Sequence, residues 1–273
     1  LSDSVDLNRV MLRKPSLHID KTRSNPEMAE KAPEIDRAWG WWRDMSVEKL
    51  QIEDSDIRLV DRVTGKVQKL EHFSIKNVKA EKGEADDGLM LDGQGELNGK
   101  EIKLHVSASN PQLLVSGNRW PFGIVVNSEL LIGSFKGSMA MRERIVTEGE
   151  LTLSSSDVVA LNAWIGPFLP ARIAAPMALK TTLDMAGDDL KISKIKLNFG
   201  STALQGSLSV SGIKSGVAEI SGSIDADTID LGMAQVEQAV TLAALPLTLP
   251  GMPSGKIDVS WKNALWRNYQ FGS

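Results

Sequence analysis

Apolar residues fall at every second position along most of this chain, and Gly, Asn, Asp and Ser interrupt the alternation at short intervals. Period two is the signature of strands with one dry and one wet face. Leu50 and Ile52 alternate, as do Ile57 and Leu59 beyond the polar Glu53-Asp54-Ser55. "VTGK" (63–66) reads as a turn, followed by Leu70, Phe73 and Ile75. Leu89 and Leu91 lead through Gly93 to Leu97, then to a turn at Asn98-Gly99 and on to Ile102, Leu104 and Val106. Asn and Gly both tolerate the positive φ of a type I′ turn, so a hairpin is predicted there. "MAGDDLKI" (185–192) predicts another, with Gly187-Asp188-Asp189 at its tip.

Within this rhythm one pattern recurs. "GSMAM" (137–141), "GELTL" (149–153), "GSLSV" (206–210), "GSIDA" (222–226) and "GKIDV" (255–259) all read Gly-x-apolar-x-apolar, and "GEL" at Gly95 is a truncated copy. Their uneven spacing excludes a fixed-period solenoid and fits strand after strand of a meander. Glycine inside a strand marks a bulge, a bend or a close backbone approach, so recurring glycines can let a long sheet curl. The other reading is that they simply open strands after turns.

Three segments leave period two. Ser154-Ser155-Ser156 can cap a helix with Val158, Leu161 and Ile165 on one face, stopped by Gly166-Pro167. Asp230 can cap a second, near 231–245, with Met233, Val236, Val240 and Ala243 inward. Between Pro33 and Met45, Ile35, Ala38, Trp39 and Trp42 fall at helical spacing. These helices are too few to cover both faces of a many-stranded sheet. The fold class expected is mainly β with a few short helices, a long curved antiparallel meander forming an open groove.

Composition changes this picture little. The 273 residues are 42% hydrophobic and 24% charged, a folded composition, and the net charge of -4 offers nothing to nucleic acid. With no cysteine there are no disulfides, zinc-thiolate sites or thiol nucleophiles. The most apolar stretch, 158–179, is interrupted by Asn162, Gly166, Pro167, Pro170, Arg172 and Pro176, so it does not read as a membrane span. Beginning at Leu1, the chain reads as a piece of a longer protein.

Candidate chemistry is sparse. His18, His72 and His105 stand in separate strand-like segments without i,i+4 partners, so no metal triad can be read. No G-x-S-x-G elbow, Walker A sequence, Rossmann fingerprint or EF-hand spacing occurs. Asp86-Asp87 and Asp188-Asp189 belong to turn tips, and Lys191, Lys194 and Lys196 suit a half-solvated strand. Trp39 and Trp42 read as packing residues of their helix, and Trp261 shares the parity of Ile257 and Val259. No metal, cofactor or enzymatic activity is expected.

Three stretches carry a family resemblance. They are "VDLNRVMLRKPSLHIDKT" (5–22), "LQIEDSDIRLVDRVTGKVQKLEHFSIKNV" (50–78) with "LMLDGQGELNGKEIKLHVSA" (89–108), and "GELTLSSSDVVALNAWIGPFLP" (149–170) running through "LKISKIKLNFGSTALQGSLSVSG" to "AEISGSIDADTIDL" (218–231). Their order resembles the AsmA family of bacterial envelope proteins, which are related to bridge-like lipid-transfer proteins. The resemblance implies a periplasmic segment, anchored to the inner membrane by a helix outside this chain. It implies a curled sheet that shields the acyl chains of phospholipid or another acyl lipid, and a part in outer-membrane biogenesis alongside other envelope proteins. The groove-lining residues expected on the inward parity are Ile195, Leu197, Phe199, Leu204, Leu208, Val210, Ile220, Ile224, Ile257 and Val259. The alternative is that they form the closed core of a β-sandwich, a scaffold assisting outer-membrane protein assembly. The chain divides at about 153 into an N-terminal groove segment (1–153) and a helix-plus-meander segment (154–273), continuous in one sheet.

Overall fold

The computed structural model describes residues 5–7, 10–21, 45–47, 50–61, 66–77, 88–110, 112–141, 144–166, 175–200, 202–213, 218–230, 254–266 and 269–272. In chain order their elements are β1 (Val5–Leu7), β2 (Val10–Arg13), β3 (Ser16–Lys21), β4 (Met45–Val47), β5 (Leu50–Asp61) and β6 (Lys66–Asn77). Next come β7 (Leu89–Leu97), β8 (Lys100–Ala108), the single-turn helix α1 (Gln112–Val115), β9 (Trp120–Ser128), β10 (Ile132–Met141) and β11 (Ile145–Ser155). Helix α2 (Val158–Ile165) precedes β12 (Met177–Ala186), β13 (Asp189–Phe199), β14 (Thr202–Ser211), β15 (Glu219–Asp230), β16 (Ser254–Trp266) and β17 (Tyr269–Gly272).

Fifteen of these strands join one open, curved sheet, not closed into a barrel. Only β1 and β4 pair apart from it. From β5 to β15 each strand lies antiparallel beside the next in sequence, as alternation with short turns predicts. At Asn98 and Gly99 φ is 48° and 76°, the two positive values a type I′ turn needs. Between β12 and β13 the turn is Gly187-Asp188, and Asp189 is already the first residue of β13. The division at 153 falls inside β11, which pairs with β10 on one side and β12 on the other, so both segments share the sheet.

At its edges the sheet departs from an antiparallel meander. β16 runs parallel to β15, and β2 and β3 both run parallel to β5. Parallel neighbours need connections of a dozen or more residues, which the stretches 22–49 and 231–253 supply. Alternation within a strand carries no mark of its direction, so the pattern could not foretell this.

Where the sequence spaces its apolar residues by three instead of two, the sheet bulges. The registers of β6 with β7 and of β13 with β14 shift between Glu71 and Ser74 and between Ile192 and Ile195. Register in β5 shifts around Ser55. At each shift a non-glycine residue takes a positive φ: Asp54 at 52°, His72 at 53° and Lys194 at 54°. The extra residue restores parity, so Ile192 and Ile195 stay on one face of the sheet.

Among the described residues, helix α2 is the main packed element outside the sheet. Its cap differs from the expected serine run: the Asp157 carboxylate accepts the N–H groups of Val159 and Ala160 at 2.9 and 3.1 Å, and the Ser155 hydroxyl accepts from Asp157 N. The buried residues are Val158, Leu161 and Trp164, so Trp164 takes the inward place expected of Ile165. Leu161 and Trp164 pack on Leu130, with Leu97, Leu131, Ala160 and Ile165 around them. Three side chain–backbone bonds fasten the helix across the strand ends. Trp164 Nε1 donates to Leu97 O, Asn98 Nδ2 to Trp164 O, and Gln68 Nε2 to Ile165 O. The helix thus reaches from the end of β11 over to β6. The helices expected near 231–245 and between Pro33 and Met45 lie outside the described residues, apart from Met45, which begins β4.

Candidate functional site

Directly opposed residues in a sheet share a face, so the registers can be read as rows running across the strands. One row is Leu104, Val126, Gly133, Leu153, Leu179, Leu197, Leu204, Ala226 and Trp261, from β8 to β16. Beside it run Val106, Ile124, Phe135 and Leu151, continued beyond Thr181 by Ile195, Gly206, Ile224 and Val259. A third row is Ala108, Phe122, Gly137, Gly149, Leu183, Ile192, Leu208, Gly222 and Ile257. The fourth ends in Met185, Leu190, Val210, Ile220 and Gly255. Phe199 pairs with Thr202 at the strand ends.

All ten expected residues, Ile195, Leu197, Phe199, Leu204, Leu208, Val210, Ile220, Ile224, Ile257 and Val259, therefore fall on one face. It is continuous with apolar positions the sequence reading did not single out as a site. Among them is an aromatic group: Trp120 and Phe122 stack at 5.5 Å, and Phe122 and Phe135 meet at 5.2 Å. The alternation of "WPFGIVV" (120–126) was the available signal for it.

The recurring glycines sit on this same face. Gly137 and Gly149 oppose each other, and Phe135 folds its ring over both. Gly206, Gly222 and Gly255 stand in successive strands, each displaced by one row, so they form a diagonal crease. At all three, an added Cβ would lie within 2.2 Å of a carbonyl oxygen of the neighbouring strand. Removing side chains along a diagonal of one face lets the backbones approach there, which is how a twisted sheet is made to coil. The glycines are sites of close backbone approach between strands, and the apolar residues of each repeat share their face.

The opposite face is polar. It carries Lys136 opposite Glu150, the Ser134–Thr152 hydroxyl pair at 2.7 Å, Lys262 with Asp227 at 2.6 Å, and an Arg119–Glu148 ion pair. A shallow recess of about 500 Å³ there is lined by Gln51, Glu53, Lys76, Asp92, Lys103 and His105, among others. In it, His105 Nδ1 lies 2.7 Å from Asp92 Oδ1, the cross-strand pair that the β7–β8 register imposes. At the bulges of β5 and β6, His72 Nδ1 meets Asp54 Oδ1 at 2.8 Å, and Lys14 Nζ approaches the other oxygen at 3.5 Å. The hydrogen bond to Asp54, reinforced by its charge, raises the His72 pKa, and the same bond lowers that of Asp54. Both side chains are substantially exposed, and the pair reads as a clasp on the bulge. Among the described residues no three or more His, Asp or Glu side chains are grouped to hold a metal ion, and no helix is long and apolar enough to cross a membrane.

Exposure along the apolar face is graded. Ile195 is 8% exposed, whereas Ile257, Val259 and Trp261 are 44%, 50% and 44% exposed. A β-sandwich core needs a second sheet about 10 Å away. The only described strands outside the main sheet are β1 and β4, of three residues each. Comparison of the chain with protein-family models, with characterised proteins and with solved structures finds no match.

Proposed function

We propose that the apolar face is a non-enzymatic lipid-binding trough, which holds the acyl chains of a phospholipid or similar lipid in a bacterial envelope protein. The observation that carries the reading is one continuous apolar face across β8 to β16 with no described second sheet to seal it. Large side chains at its β16 end are about half exposed and adjoin one another, and contiguous exposed apolar surface marks interaction and ligand-binding sites. The chemistry suits a chain of methylenes, since the rows contain Leu, Ile, Val and Phe with glycine and no charged residue. Burial gains about 0.8 kcal/mol per methylene, or on the order of 10 kcal/mol for one chain of about sixteen carbons. Immobilising a ligand costs a comparable amount, so one chain binds weakly and a two-chain lipid binds well. The resemblance to AsmA proteins supplies the periplasmic setting, the inner-membrane anchor beyond this chain and the part in outer-membrane biogenesis.

The test is lipid extraction followed by mass spectrometry on protein purified from bacterial membranes, compared with Leu208→Asp and Ile224→Asp. Phospholipid should accompany the parent and be depleted from variants that still unfold cooperatively. A parent free of lipid overturns the proposal.

A further inference from the structure

The two rims of the apolar face, where the strands turn, are built differently. Helix α2 lies over one of them, on the apolar side. The residues that hold it share that face: Leu97 has the parity of Gly93, which opposes Leu104, and Gln68 has that of Leu70, which opposes Leu97. Five of the nine buried apolar residues described gather at this rim, namely Leu130, Val158, Leu161, Trp164 and Met177, so it is the driest part of the molecule. Leu131, next along from Gly133, packs against them. From β10 to β13 the opposite rim has short connections, 142–144 and Gly187-Asp188, and Gly187 donates its N–H to Ile145 O at 3.1 Å. Ile145 is 40% exposed there, on the apolar face. Arg144 beside it is exposed, with Cδ 3.4 Å from the place of a Cβ on Gly187, and it makes no ion pair among the described residues. Between the rims, Met185, Leu183, Thr181 and Leu179 of β12 cross the four rows in turn. Six residues of antiparallel strand rise about 20 Å. A phospholipid chain spans half of a hydrocarbon core about 30 Å thick, so one chain fits within this length.

We propose that bound acyl chains lie along strands β9 to β12, with their methyl ends stopped at Leu131 and α2 and the headgroup phosphate beside Arg144. This inference rests on the trough reading and fixes the direction of the lipid within it. A phosphate turned toward α2 would be buried among Leu130, Leu161 and Trp164, and burying a charge in such surroundings is unfavourable. Turned toward the other rim, it stays in water and meets a guanidinium, whose planar fork matches phosphate. A chain laid along one row would instead keep its headgroup over apolar side chains, away from either rim. α2 thereby limits chain length. Each added methylene tightens binding about four-fold until the chain end reaches Leu131, and further methylenes add nothing.

The test uses the full chain and two phosphatidylglycerol probes, one with a diazirine at the terminal carbon of an acyl chain and one with it beside the carboxyl. After irradiation, peptide mass spectrometry locates the adducts. The terminal diazirine should label 130–133 and 158–165, and the proximal one 144–147 and 185–190. Arg144→Gln should weaken phosphatidylglycerol binding about three-fold and leave diacylglycerol, which has no phosphate, unchanged. Leu131→Ala should let the gain per methylene continue to longer chains. The same labelling pattern from both probes on the apolar face, or the two patterns reversed, overturns the proposed direction and leaves the trough standing. An equal effect of Arg144→Gln on both lipids overturns the phosphate site. No adduct from either probe, or adducts on the polar face, overturns the trough and this inference with it.

Discussion

Replacing Gly137 with alanine tests whether the glycines on the apolar face are there for close approach. A Cβ at Gly137 would lie 2.1 Å from Glu148 O, 2.7 Å from Gly149 Cα and 2.9 Å from Phe135 Cζ. The first two contacts are backbone, so no rotamer change relieves them and β10 and β11 must separate. Overpacking of a fitted site costs about 1–3 kcal/mol, and the upper end applies when backbone has to move. With an m-value of about 2–3 kcal/mol/M, Gly137→Ala should lower the urea midpoint by about 1 M. Gly133→Ala is the control on the same face: its Cβ meets Leu153 Cδ2 at 3.0 Å, the end of a flexible side chain, and its nearest backbone atom is at 3.9 Å. It should cost under about 1 kcal/mol. In the double variant Gly137→Ala/Gly149→Ala the losses should fall short of additive, because the first substitution already parts the strands. The assay is urea unfolding followed by intrinsic tryptophan fluorescence. Equal midpoints for Gly137→Ala and Gly133→Ala would refute the close approach and with it the glycine-driven coil.

Other expectations follow from named contacts. Leu161 has no exposed surface, so Leu161→Ala should cost about 2–5 kcal/mol in the same assay. Trp164→Phe keeps an aromatic ring but loses the N–H bond to Leu97 O and part of the indole's buried volume, and should cost about 2–3 kcal/mol; Asp157→Ala loses the helix cap and should cost about 1 kcal/mol. The His72–Asp54 clasp is pH-dependent. The raised His72 pKa means its contribution is complete below about pH 6.5 and is lost as pH rises through the raised value. The lowered Asp54 pKa means its contribution is present above about pH 3.8 and is lost as pH falls through the lowered value. Titration of the His72 ring by NMR should give a midpoint above 6.5 that Asp54→Asn moves downward, and an unmoved midpoint would show the pair to be incidental.

What the sequence disclosed, and what it withheld, follow from the range of each interaction. Strand parity is local: Leu208 and Val210 could be assigned to the face opposite Ser207 and Ser209 from the chain alone, and the β14 registers with β13 and β15 place them so. The bulges left a mark that the alternation alone did not interpret, the three-residue gaps from Leu70 to Phe73 and from Ile192 to Ile195. The parallel pairing of β16 was not, because direction depends on a connection and leaves no period in the strand. Nor could the diagonal of Gly206, Gly222 and Gly255 be seen, since it exists only once three registers are known. At α2 the neighbouring serines obscured Asp157 as the cap. The inward place of Trp164 depends on Leu97, more than sixty residues away.

The central claim, that the dry face meets lipid, is tested most directly by its parity. A photo-reactive amino acid can be placed in turn at Leu204, Leu208 and Ile224 on the apolar face, and at Gln205, Ser209 and Asp225 on the polar face. After irradiation in bacterial cells, mass spectrometry of the purified protein reports which positions have captured phospholipid. Adducts at the first three positions and none at the second three are the predicted result. Capture without regard to face, or adducts only with protein at the apolar positions, would contradict the trough.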